Sequence, residues 1–301
     1  MLPPAPTAAP SVFVTLTPTL FVMLWSTGFI GMKLGAPFAE PFTFMGYRML
    51  LVMAILLVVI AATKAPWPRN ATDAGHIAVA GLLVHATYLC GVLFAIQMQL
   101  PLGFAALIAG MQPILTAVFA NVFLHEKLNR RQWCGMALGL VGVLMVVLSK
   151  YSLDTLNFAA LAAALVALLG ITFGTLYQKR FCAHMDMRTG GLIQYSATCL
   201  LLWLLAFTFE TRVVQWTGQF VFAVFWLAIV LSLGAIGLLY LLIRRGAASK
   251  VASLFFLTPT VTAVFAYILF GEALTMVAVL GMLVTAVGVA LVMRVVTVVK
   301  E

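Results

Sequence analysis

Gln112-Pro-Ile-Leu-Thr-Ala-Val-Phe-Ala120 and Thr258-Pro-Thr-Val-Thr-Ala-Val-Phe-Ala266 are two copies of one pattern, set 146 residues apart. The same offset, with no gap, pairs Glu126 with Glu272, Gly135 with Gly281 and Gly142 with Gly288. It also pairs Gly28 with Gly174, Lys33 with Lys179 and Gly91 with Gly237. Runs of Ala, Leu and Val align readily by chance. Prolines, glutamates and glycines at one constant offset do not, so the chain is read as an internal repeat.

Around this core the composition sets the solvent. Of 301 residues, 64% are hydrophobic and 8% are charged, and that charged share is about a third of the usual soluble value. A soluble core of this size would lack a polar skin. A soluble enzyme, a disordered chain and a nucleic-acid-binding domain are thereby excluded. The net charge of +9 is read as loop lysines and arginines that orient a membrane protein. Ten apolar segments are expected, near 12–34, 42–62, 77–98, 102–123, 133–149, 157–177, 190–209, 219–243, 248–270 and 275–296. Each is long enough, or nearly so, for a span of about 20 residues. Pro37 with Pro41, Pro66 with Pro68, Leu100-Pro101 and the polar run from His125 to Gln132 separate the first five. The N-terminal stretch has no basic region of the kind that opens a signal peptide, so the first apolar segment is expected to be retained.

The expected fold is therefore all-α and integral to the membrane: ten transmembrane helices in two inverted five-helix repeats, 12–149 and 157–296. The inversion follows from the odd number of spans per copy. One face of the membrane collects Lys64, Arg69, Lys127, Arg130, Arg131, Lys179, Arg180, Arg188, Arg244, Arg245, Lys250, Arg294 and Lys300. The other holds Lys150 and Arg212, with Lys33 at its edge. Positive residues stay in the cytoplasm, which places both termini there. Inverted repeats characterise secondary transporters, whose related halves rock about a midplane site.

These residues resemble a known family. Ala105–Val147 has the look of the second part of an EamA repeat: apolar helix, central proline, a glutamate-bearing turn, then a glycine-spaced helix. Val251–Met293 repeats it with Gly271-Glu272-Ala-Leu274. Trp25-Ser-Thr-Gly-Phe29 with Lys33 is similar to the opening of the first repeat. The family is the drug/metabolite transporter superfamily, and the chain is most similar to its YddG-type exporters of aromatic and other amino acids. The resemblance implies a ten-helix carrier of a bacterial inner membrane that exports small metabolites.

Pro113 and Pro259 fall near the middle of spans 4 and 9 and are the expected hinges. Proline removes a backbone N–H and clashes with the carbonyl four residues back, so the carbonyls of Ala109 and Phe255 are candidates for lost helical bonds. The expected substrate-binding residues cluster around them: Gln112 and Thr116, Thr258 and Thr262, Trp25 and Ser26 on span 1, His85 and Tyr88 on span 3, Thr175 on span 6 and Tyr240 on span 8. Hydroxyls, an amide and aromatic rings suit a small amphipathic solute. Each hydroxyl alone is better explained by a bond to a backbone carbonyl, and it is the clustering near the two prolines that points to a site. An intramembrane histidine is a functional candidate by default, and protonation of His85 would suit a proton-linked step; a neutral His85 bonded to a neighbouring helix is the favoured reading. Arg48 and Lys33 are read first as structural, with Arg48 snorkelling outward or meeting Glu40. Attraction of a substrate carboxylate is the other reading.

The acids Glu40, Asp73, Glu126, Asp154, Asp186, Glu210, Glu272 and Glu301 all fall in or beside connections. Without a midplane carboxylate, gradient-driven uncoupled passage is favoured over proton antiport. Cys90, Cys134, Cys182 and Cys199 lack metal-ligand spacing, and no phosphate loop, zinc motif or nucleophile elbow occurs. No metal, cofactor, nucleic-acid partner or enzymatic activity is expected, and nothing requires a dimer. The expected partners are a small-molecule substrate and the lipid bilayer. A nucleotide-sugar or drug carrier, and more remotely a membrane-embedded enzyme, are the competing readings.

Overall fold

The computed structural model describes residues 12–100, 105, 108–124, 128–148, 157–245, 248–270 and 274–293. Among them every regular element is helical. The long helices are α1 (Val12–Gly35), α2 (Pro41–Thr63), α3 (Ala71–Gln97), α4 (Gln112–Leu124) and α5 (Arg130–Leu148). They are followed by α6 (Phe158–Phe181), α7 (Met187–Phe209), α8 (Gly218–Arg245), α9 (Leu257–Phe270) and α10 (Met276–Met293). Eight of these regions are long and apolar enough to cross a membrane. The expected count of ten is not reached by that measure. The helix Ile108–Ala120 is shorter than the others, and α5 opens on Arg130-Arg131. Glu126 and Glu272, the glutamates paired by the repeat, lie outside the described residues.

Polar residues start the helices as their chemistry dictates. Asn70 Oδ1 accepts from Asp73 N at 2.7 Å, Asn157 Oδ1 from Ala159 N at 2.9 Å and Thr217 Oγ1 from Phe220 N at 3.1 Å. Asp186 caps α7 by accepting from Arg188 N at 2.9 Å and holds the Arg188 guanidinium at 2.7 Å. Each cap satisfies an amide that helix geometry leaves unpaired. Lys179-Arg180 and Arg244-Arg245 close α6 and α8, where cations complement the helix dipole.

Leu57, Val58, Leu200, Leu204, Phe207 and Leu283 are exposed, giving the apolar outer surface that lipid requires. The inside is assembled pairwise. α2 packs on α7 and α5 on α10, while α3 lies against α6 and α7, and α1 against α8 and α9. Adding 146 to each residue maps the α2–α7 and α5–α10 pairs onto themselves. It exchanges α1–α8 with α6–α3.

The α5–α10 crossing depends on glycine. A Cβ on Gly135 would lie 2.6 Å from the Gly288 carbonyl oxygen, and one on Gly281 would lie 2.6 Å from that of Gly142. These two contacts are the same contact under the offset. Only hydrogen at these positions lets the two backbones meet.

Two irregularities also recur at the offset. In α3, Leu82–Thr87 winds as a π-helix, and in α8, Leu227–Ala235 does the same. Such wide turns are rare and favour functional sites. Near each proline the helix is interrupted. Met111 is a turn residue before α4, and a 3-10 turn at Leu254–Phe256 precedes α9. Pro113 and Pro259 thus stand in the first turn of a restarted helix, where a missing N–H costs nothing. The sequence reading had placed them inside continuous spans.

Candidate functional site

The expected site residues fall into three groups. The first is a hydroxyl cluster at the proline of α9. Ser26 Oγ donates to Val22 O at 2.8 Å and approaches Thr258 O at 3.4 Å, while Thr262 Oγ1 reaches Ser26 O at 3.5 Å. The second is its counterpart at the proline of α4. There Gln112 Nε2 donates to Thr175 Oγ1 at 3.5 Å, and Thr172 and Thr175 donate to their own helix. Both clusters are buried, yet Gln112 Oε1 and the hydroxyls of Thr116, Thr258 and Thr260 have no partner. Buried polar atoms are nearly always paired with protein or water, which sets these four atoms apart from the rest of the core.

The third group lies between the two π-helices. Tyr240 Oη donates to Gln194 Oε1 at 2.6 Å and sits 3.3 Å from His85 Nε2. Gln194 Nε2 donates in turn to Gln178 Oε1 at 2.7 Å. The His85 ring stacks on Tyr195 with centroids 4.4 Å apart, and His85 Nδ1 has no partner. Tyr195 Oη donates to Ser232 O at 2.9 Å, and Arg48 Nε donates to Ser232 Oγ at 3.0 Å. Trp25 and Tyr88 stack at 5.9 Å and line a small apolar cavity of about 10 Å³ with Gly28 and Leu231.

Arg48 corrects the sequence reading. Its side chain is 0% exposed and points into the bundle, so it does not snorkel. Nor does it meet Glu40, whose carboxylate accepts from the Thr211 amide and hydroxyl, each at 2.7 Å, and from Arg212 N at 3.1 Å. Those bonds hold the Glu40 carboxyl below its usual pKa, with the Thr211 hydroxyl the main cause. Glu210 reciprocates from α7 by accepting from Phe42 N, Thr43 N and Thr43 Oγ1, each at 2.7 Å. Lys33 is exposed. Gln178, Gln194, Tyr195 and Ser232 were not anticipated. Amides inside apolar spans were the available signal.

The two ends of the bundle differ. At one end Gln97 Nε2 donates to Ala36 O at 3.1 Å and Ala39 O at 3.0 Å, fastening α3 to the α1–α2 turn. The offset places Ile243 opposite Cys182 and Met185, where no such bond can form. There a cavity of about 80 Å³ lies between Cys182, Ala183, Tyr240, Ile243 and Arg244. It shares Cys182, Ala183 and Arg244 with a wider cleft of about 860 Å³, lined also by Arg69, Asp73, Arg180 and His184. Burial pushes the Cys182 thiol up to about 11, so it stays protonated there. Among the described residues no group of His, Cys, Asp and Glu could hold a metal ion.

The model of the EamA-like transporter family matches twice, over residues 14–148 and 158–294. This chain belongs to the EamA-like transporter family. It is a multi-pass membrane transporter. Similar proteins include the uncharacterized transporter YvbV of Bacillus subtilis, 26% identical over 94% of this chain and 92% of that one. A probable amino-acid metabolite efflux pump of Salmonella typhimurium is 24% identical over 85% of this chain and 86% of its own. The uncharacterized inner membrane transporter YedA of Escherichia coli K12 is 26% identical over 84% and 81%. A solved crystal structure superposes with a TM-score of 0.74 at 20% identity, covering 92% of this EamA chain and 97% of that one.

Proposed function

We propose that this EamA protein exports amino acids, aromatic ones among them, and related small metabolites across a bacterial inner membrane. It works by alternating access, without proton coupling. The observation that carries the reading is the buried polar core between the π-helices, approached by a cleft from one end and fastened by Gln97 at the other. A passive structural protein has no use for such a core, because every buried polar group costs free energy unless paired.

In this reading α1–α5 and α6–α10 are inverted five-helix repeats spanning the membrane ten times, α4 and α5 included. The self-mapping Gly135–Gly288 and Gly142–Gly281 contacts support that symmetry, as do the paired π-helices and proline breaks. Both termini and the wide cleft are cytoplasmic, following the basic connections. Trp25, Ser26, His85, Tyr88, Gln112, Thr116, Thr175, Tyr240, Thr258 and Thr262 surround the transport path, and Pro113 and Pro259 are its hinges. Access requires the bonds of the Tyr240 hydroxyl to Gln194 and His85 to break, since the 80 Å³ cavity is smaller than an aromatic amino acid. Among the described residues no Asp or Glu is buried, which removes the usual proton carrier and supports uncoupled flux. The amino-acid assignment draws on the Salmonella relative's name and on the aromatic and hydroxyl lining.

The test is counterflow and net flux of labelled Phe, Thr, Met and Lys in proteoliposomes, with and without a pH gradient. Saturable flux indifferent to the gradient is expected. Gradient-driven flux would overturn the uncoupled mechanism and move His85 to its centre. No flux of any amino acid would overturn the substrate class.

A further inference from the structure

Among the described residues, Arg48 is a buried cation with no acid bonded to it. Nε donates to the Ser232 hydroxyl, Nη1 reaches only the Met45 sulfur at 3.8 Å, and Nη2 has no partner. Glu40 and Glu210, the acids at the same end of α2, are engaged with backbone amides and threonine hydroxyls. Arginine cannot shed its proton in proteins. A buried charge without a counter-charge is strongly destabilising, and inside a membrane such a residue marks a substrate path. Its surroundings suit an anion. The Ser232 hydroxyl lies beside it and the unpartnered His85 Nδ1 belongs to the ring stacked on Tyr195. The cleft outside gives a second, independent indication. It presents Arg69, Arg180 and Arg244, while one of its two acids, Asp186, is paired with Arg188. A basic rim raises the local concentration of anions.

We infer that Arg48 is the carboxylate-binding residue of the transport site. Its free Nη2 receives the carboxylate of a small amino or organic acid as the path opens. The inference rests on the amino-acid transport reading above and narrows it. A free carboxylate becomes obligatory, whereas the substrate's ammonium group does not.

The test compares flux of phenylalanine, phenyllactate, phenylalaninamide and phenethylamine in proteoliposomes of the wild type, Arg48→Lys and Arg48→Met. The wild type is expected to carry the two carboxylates at least about tenfold faster than the amide and amine, because only a carboxylate gives the buried guanidinium a charge-assisted bond. Arg48→Met, unbranched, shorter and apolar, is expected to lose that preference, and Arg48→Lys to keep part of it. Loss of flux for all four compounds in Arg48→Met could reflect poor folding. The wild-type preference, and selective thermal stabilisation of purified wild type by the carboxylates, then decide the matter. Equal wild-type flux of acid, amide and amine overturns the role of Arg48 and leaves the transporter reading standing. Absence of flux for all four in the wild type overturns both.

Discussion

The α5–α10 crossing permits a prediction whose sign can be worked out in advance. Alanine replaces Gly281. The new methyl would lie 2.6 Å from the Gly142 carbonyl oxygen, 2.8 Å from Met145 Cβ and 3.0 Å from Val146 N. Two of these are backbone atoms of a packed helix, so neither rotates away. An ordinary carbon–oxygen contact is more than half an ångström longer, and the helices must part by that amount along their tightest turn. Overpacking of this kind costs about 1–3 kcal/mol. Against it, Gly→Ala inside a helix gains about 0.5–1 kcal/mol. The net is a loss of up to about 2.5 kcal/mol. The control is Gly75→Ala in α3, where an added methyl meets nothing within 4 Å and only the gain remains. The assay is thermal unfolding in detergent, followed by exposure of buried cysteines to a fluorogenic thiol reagent. Gly281→Ala is expected to lower the midpoint and Gly75→Ala to hold or raise it. A Gly281→Ala midpoint at or above wild type would refute the backbone-contact reasoning.

Other outcomes follow from single bonds. Asp186→Ala removes the α7 cap and the Arg188 pair and should destabilise by about 0.5–2 kcal/mol in the same assay. The bond from the Arg188 side chain is the main cause holding the Asp186 carboxyl below its usual pKa of 3.8. Its stabilisation is therefore complete above that value and lost as pH falls through the lower folded-state pKa, so acid melts should converge for wild type and Asp186→Ala. Tyr240→Phe leaves Gln194 Oε1 without its 2.6 Å donor. It should cost about 1 kcal/mol and raise the flux of a substrate that enters past it, measured by counterflow. Gln97→Leu cuts the fastening to Ala36 and Ala39. A cysteine placed at Phe38 should then react at least severalfold faster with a membrane-impermeant maleimide, and an unchanged rate would deny Gln97 any part in closing that end.

What the sequence revealed depended on how it carried the information. Repeat, helix order and the paired positions of Pro113 and Pro259 were legible because proline, glycine and glutamate keep their spacing in the chain itself; that the helices restart there was not. Tyr240 was legible as a hydroxyl-bearing ring inside an apolar span. The direction of Arg48 was not legible. α2 is apolar all round, so no polar face fixes its rotation, and only packing against α7 and α8 turns residue 48 inward. The same reason hid Gln178, Gln194 and Tyr195. Each is unremarkable on its own helix and acquires meaning only through partners far along the chain. The π-helices escaped for another reason. Nothing local separates Leu82–Thr87 from the ordinary helix around it.

The glycine seam between α5 and α10 has a consequence for assembly. A face that fits its own image across a two-fold axis is the face of a homodimer. In the inverted-repeat topology proposed above, a free five-helix chain bearing Gly135 and Gly142 would find the same complement on a second molecule inserted upside down. Half the molecules would have to enter the bilayer each way, and every like-oriented encounter would be wasted. Joining the two copies in one polypeptide, each with its own set of basic connections, guarantees one partner of each orientation at every synthesis. It also frees the two halves to differ. His85 on one side answers to Leu231 on the other, and Gln97 to Ile243, so the joined protein can hold distinct groups at its two ends where a symmetric pair would be bound to duplicate them.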